Sequence, residues 1–150
     1  MADQSKKGKS LPPYEFRVER VKIQEFVQAI GDHNPLFRDR KFAISEGYPD
    51  TPCPPTFFTS AFQEFTGAFF RVFEELEVKL ENVLHGEEEY EYLAEVYPGE
   101  ILTCHLCIES IVEKQSKSGK MDFITLKTSF LNQAGEEVLR ARSLIIERII

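Results

Sequence analysis

Residues 56–76 read TFFTSAFQEFTGAFFRVFEEL, and the fold is decided here. Phe58, Ala61, Phe62, Phe65, Phe69, Val72, Phe73 and Leu76 recur at helical spacing over about five turns. Phe57 and Phe70 fall off that stripe, so the predicted helix is apolar over more than half its circumference. Such a helix must be covered on several sides, as when a sheet curls round it. Pro54 and Pro55 bar an earlier start, which makes Thr56 the expected N-cap.

Beyond the helix the apolar period changes from about four to two. Leu102, Cys104, Leu106, Ile108 and Val112 form one face of a strand that alternates with Thr103, His105, Cys107 and Glu109. Residues 116–119, Ser-Lys-Ser-Gly, read as a hairpin turn. Ile124, Leu126 and Phe130 line a second strand, and residues 132–135 turn the chain again. Leu139, Ala141 and Ile145 line a third. Residues 87–95 predict a further strand, ended by Pro98-Gly99. Upstream, Tyr14, Phe16 and Val18 share a strand face, and Ile23, Phe26, Val27 and Ile30 share a helix face capped by Gly31. Residues 31–56 hold five prolines and read as a long loop with a helical turn over 38–45.

One long Phe-rich helix with about five antiparallel strands, four of them in a meander, predicts an α+β domain. The curved sheet wraps the helix in the arrangement called the hot-dog fold. Residues 11–150 are expected to form this one domain and residues 1–10 a disordered tail. That tail carries three lysines but no apolar stretch of a secretory signal. A curved single-layer sheet leaves an edge and an apolar face to cover, so a dimer is expected.

Composition narrows the function. The 150 residues suffice for one core without staples, and no apolar run reaches the ~20 residues of a membrane span. Net charge is −7, and residues 76–150 hold eight basic against fourteen acidic side chains. That balance argues against nucleic acid as a partner. Three cysteines, an odd number without a signal, predict free thiols in a reducing cytoplasm. Cys104 and Cys107 resemble a C-x-x-C pair, but residues three apart on a strand point to opposite faces, so no metal is expected. Glu87, Glu89 and Glu91 read as the solvent face of a strand.

The chemically informative segment is residues 29–39, AIGDHNPLFRD, a stiff corner directly after a helix. Asp and Asn side chains in such corners serve local backbone turns. The other reading holds Asp32 at a pocket mouth as a base or water-positioning group. This segment resembles the hydratase motif of the MaoC-like dehydratases, which include the (R)-specific enoyl-CoA hydratases. Their pattern runs Gly-Asp-x-Asn-Pro-x-His-x-Asp, and Gly31, Asp32, Asn34, Pro35 and Asp39 match it. Residues 54–57 (Pro-Pro-Thr-Phe), 84–87 (Leu-His-Gly-Glu) and 97–100 (Tyr-Pro-Gly-Glu) also resemble the family. The Leu-His-Gly-Glu run resembles in particular its N-terminal type, the fatty-acid-synthase-like dehydratase domain.

The resemblance implies syn addition or removal of water across the α,β bond of an acyl thioester, on CoA or acyl carrier protein, with no cofactor. An Asp–His pair would handle the protons. A backbone N–H where the buried helix opens, at Thr56 and Phe57, would stabilise the enolate oxygen. Phe37 stands where active members carry the histidine, and a phenyl ring accepts no proton. His85, carried by the N-terminal-type domains, is the candidate second member of a catalytic pair with Asp32. Asn34, Phe37, Thr56 and Phe57 are candidate substrate-binding residues. Related proteins are often pairs of hot-dog units, one intact and one degenerate. In the heterodimeric 3-hydroxyacyl-ACP dehydratases of mycolic acid synthesis the two are separate chains. Three functions follow: the degenerate half of a heterodimer, a self-sufficient homodimeric hydratase using Asp32 and His85, and an acyl-CoA binding module.

Overall fold

Alternation of apolar and charged residues sends Tyr14 and Phe16 inward from strand β1 (Tyr14–Arg17) in the computed structural model of the chain, which describes residues 2–63, 67–116 and 119–149. Helix α1 (Arg20–Ala29) follows and buries Ile23 and Val27. Gly31 takes the left-handed conformation just past its end. The loop holds a 3-10 turn, Pro35–Phe37, and the short helix α2 (Arg40–Ser45), whose first N–H groups are capped by the Asp39 carboxylate.

Strands β2 (Val83–Tyr92), β3 (Ile101–Ser116), β4 (Gly119–Leu131) and β5 (Glu137–Ile149) complete one antiparallel sheet of order β1-β3-β4-β5-β2. The expected four-strand meander is corrected to three. β2 crosses to the far side and pairs with β5, so that β1 and β2 form the two edges of the wrap. The hairpin expected at 116–119 pairs Ser116 with Gly119, and its two central residues lie outside the described ones.

The Phe-rich segment enters as a turn, not a helix. Thr56 has φ +68°, and the helix begins only at α3 (Thr59–Gln63), so Thr56 is no N-cap. Helix α4 (Ala68–Leu76) starts after Gly67, itself left-handed at φ +64°. The expected five-turn helix is thus described as two pieces, and Phe65 of its stripe lies outside the described residues. Of the stripe, Phe58, Ala61, Val72, Phe73 and Leu76 are buried against the sheet. Of the two residues off it, Phe57 is buried and Phe70 is exposed. Rings of Phe16, Phe26, Phe57, Phe58 and Phe130 meet at 5.6–6.4 Å, mostly edge to face, a geometry that adds to their burial.

Two irregularities reset which residues face inward. A bulge between Ile108 and Ser110 turns Ile111 into the core and leaves Val112, expected inside, 46% exposed. A second bulge, between His85 and Glu87, is centred on Gly86, where a Cβ would stand 3.1 Å from the Leu144 carbonyl oxygen.

Residues 2–11, the first nine of them expected as part of a disordered tail, lie against the domain. Ala2 is buried and its N–H reaches Asp122 Oδ2 at 2.8 Å. Asp3 N–H donates to the Leu76 carbonyl, and Gly8 and Leu11 N–H groups donate to the Ile108 and Leu106 carbonyls. The tail is held because β3 runs past the end of β1, leaving backbone groups that residues 8–11 satisfy. Lys6 and Lys9 meet Glu75, both at 2.7 Å.

Candidate functional site

The corner after α1 is built by its own side chains. Asp32 Oδ1 accepts the Asn34 N–H at 2.8 Å, and Asn34 Oδ1 accepts the Leu36 N–H at 3.0 Å. Arg38 Nη1 lies 3.4 Å from the Asp32 carbonyl oxygen and 3.3 Å from His33 Nδ1. Phe37 is half-buried and packs against the core. It lines a cleft of about 340 Å³ with Tyr48, Cys53, Pro55, Tyr92 and Glu95. Asp32 and Asn34 act within the turn, and among the described residues no imidazole is hydrogen-bonded to Asp32.

Thr56 and Phe57 begin the Phe-rich segment directly after Pro55, which lines that cleft. The Thr56 N–H donates to the Tyr92 hydroxyl at 3.1 Å, and the Phe57 N–H donates to the Pro54 carbonyl at 3.2 Å. Both N–H groups that the sequence offered for an enolate oxygen therefore already have acceptors within the chain. Phe57 is fully buried.

His85 is brought to a different place. On an unbroken strand His85 and Glu88 would point to opposite faces, but the Gly86 bulge brings them together, with the Glu88 side chain partly buried and the His85 side chain 61% exposed. His85 Nε2 lies 3.1 Å from Glu88 Oε2, and the other carboxylate oxygen accepts the Ser143 hydroxyl at 2.8 Å. These three groups edge a cavity of about 250 Å³ between the sheet and the Phe-rich segment. Phe58, Phe73, Leu106, Leu126, Phe130 and Ile145 form its apolar wall. Nearby, Thr59 Oγ1 and Tyr90 Oη are 2.6 Å apart, and burial pushes the Tyr90 phenol above its ordinary value. Asp32 and His85 are not hydrogen-bonded within the chain.

Glu88, Ser143, Tyr90, Tyr92 and Tyr14 were not read from the sequence as site residues. Glycine inside a strand pattern was the available signal, since it marks a bulge and so a change of face. Cys104 and Cys107 lie on opposite faces, the first fully buried and the second half-exposed. Among the described residues no three His, Cys, Asp or Glu side chains converge on a metal-binding geometry, and no helix is long and apolar enough to cross a membrane.

Comparison with known proteins agrees with this architecture. The family model described as the FAS1-like dehydratase domain region matches residues 5–141. A UPF0336 protein of Streptomyces coelicolor is 35% identical over 149 residues, covering 97% of this chain and 95% of the relative. Among solved structures, the HadBC (3R-hydroxyacyl-ACP dehydratase) complex from Mycobacterium tuberculosis superposes at a TM-score of 0.81 with 22% identity. That match covers 94% of this chain and 96% of the other. A MaoC-like dehydratase superposes at 0.82 with 25% identity, over 96% of this chain but 42% of its own length. With a curved antiparallel sheet around a Phe-rich helical segment and a family match over nearly its whole length, the chain belongs to the FAS1-like dehydratase domain family and is a MaoC-like hot-dog domain.

Proposed function

We propose that the chain is the degenerate half of a (3R)-hydroxyacyl thioester dehydratase/hydratase, pairing with a catalytic hot-dog chain and shaping the acyl site. The observation that carries this reading is Phe37 at the histidine position of an otherwise well-matched motif, beside an Asp32 carboxylate bonded to its own turn. A phenyl ring moves no proton, and hydration needs one group for the α-proton and another for the water. Two further observations support it. The Thr56 N–H is already donated to Tyr92, and the edge strand β2 exposes Leu84 and Tyr92, a surface suited to a partner. The likeness to the HadBC complex supports separate chains as the mode of assembly.

The test assays hydration of crotonyl-CoA by the purified chain, alone and mixed with a hot-dog chain bearing the intact motif. Turnover only in the mixture, with co-elution of the two chains, is the expected result. Robust hydration by the chain alone would overturn the reading. It would favour the self-sufficient homodimer, whose support is that His85 edges the apolar cavity. Saturable acyl-CoA binding without turnover under any pairing would leave a binding module.

A further inference from the structure

The 250 Å³ cavity is apolar along most of its wall, yet a phenol stands at its β1 side. Tyr14 is 92% buried (8% exposed), and its hydroxyl has no hydrogen-bond partner among the described residues. Across the strand pair stands Cys104, whose thiol is the phenol's polar neighbour and a weak hydrogen-bonding group, so that contact falls short of a full hydrogen bond. Thr128, also buried and lining the cavity, adds a second hydroxyl on the inner face of β4. A buried hydroxyl without a partner is costly compared with the phenyl ring that would fill the same space. The side chain's place is intelligible if something that enters the cavity supplies the missing bond.

The cavity has direction. His85 and Glu88 edge it on β2, and Tyr14 lines it from β1, at the opposite margin of the sheet. These strands are the two edges of the sheet that wraps the cavity. A chain entering at the polar His85–Glu88 margin would cross the aromatic and aliphatic wall before reaching the phenol.

We infer that the cavity takes an acyl chain bearing an oxygen function well beyond its β-carbon, a hydroxyl, carbonyl or ether, which the Tyr14 hydroxyl recognises. The inference rests on the reading that this cavity holds an acyl group, and it adds the chemical class of that group. Selectivity arises from asymmetry: a plain alkyl chain leaves the phenol unpaired, whereas an oxygenated chain pairs it.

The test uses the full chain and measures calorimetric binding of decanoyl-CoA beside its monohydroxylated derivatives, the hydroxyl walked from mid-chain to the methyl end. At least one derivative is expected to bind about tenfold more tightly than decanoyl-CoA, the worth of one buried neutral hydrogen bond. In Tyr14→Phe that difference should vanish. The same variant should melt close to the parent, because only the weak contact with the Cys104 thiol is lost. The inference is overturned if no derivative outbinds decanoyl-CoA, if the preference survives in Tyr14→Phe, or if that variant is clearly destabilised. Binding of decanoyl-CoA without preference removes this inference alone. Failure of every thioester to bind removes the acyl-site reading with it.

Discussion

Thr56 and Tyr92 are joined by a hydrogen bond of 3.1 Å that runs from the backbone N–H of one to the hydroxyl of the other. It ties the turn before α3 to the end of β2 and occupies the Thr56 donor. Thr56 holds this position with φ +68°, a conformation in which a β-branched residue is strained. Thr56→Gly is therefore expected to leave stability unchanged or raise it by up to about 1 kcal/mol, read from urea denaturation. Thr56→Ala, which keeps the Cβ, should give less. A loss above about 1 kcal/mol in the glycine variant would mean that the threonine side chain itself holds the corner.

Phe37 supplies the direct test of the proposed degenerate role. Phe37→His should give the chain a hydration activity on crotonyl-CoA that the parent lacks. In that background Asp32→Asn should remove at least ~10²-fold, the scale of general acid–base catalysis. No activity in a folded Phe37→His variant would mean that residue 37 is not what separates this chain from a catalyst.

Asp50 provides the acid dependence. Its carboxylate accepts both terminal nitrogens of the Arg20 guanidinium, at 2.8 and 2.7 Å, and lies 3.3 Å from Arg40 Nε. The Arg20 hydrogen bonds above all hold its carboxyl well below the usual carboxylate range. A folded pKa below the unfolded value means that the stabilisation is complete above the unfolded value of about 3.9. It fades as pH falls from there towards the folded value. The stability gap between parent and Asp50→Asn should be flat above about pH 5 and narrow below about pH 4. A gap that stays constant through acid denaturation would contradict this role.

The N-terminal segment is a brace. Removing residues 2–10 strips the Ala2 N–H from buried Asp122 and the backbone bonds to β3 and to the end of α4. A cost above about 2 kcal/mol is expected, since a buried carboxylate that loses a donor is heavily penalised. Thermal melting of the truncated chain checks it, and an unchanged midpoint would return the segment to the status of a tail.

The thiols report the inner and outer faces of β3. Cys104 is fully covered and burial pushes its thiol up to about 12, while Cys53 is 8% exposed and also raised by burial. Native protein at pH 8 should give one fast-reacting thiol, Cys107, and three after denaturation. Fast labelling of Cys104 in the native state would contradict the pairing of β1 with β3.

By itself the sequence determined each element whose signal is local. Alternation at Tyr14, Phe16 and Val18 and at Ile124, Leu126 and Phe130 specified inner faces, and the phenylalanine stripe specified what the sheet encloses. The Asp32–Asn34 corner was legible because its hydrogen bonds span two residues. Tertiary structure alone decided the place of β2 beside β5, because long-range pairing leaves no periodic trace. It also decided the two bulges, which slipped the side-chain period by one. That slip put Ile111 inside in place of Val112 and brought His85 to Glu88. The unpaired Tyr14 phenol was invisible for the same reason: whether a buried hydroxyl finds a partner depends on residues that meet only when distant strands do.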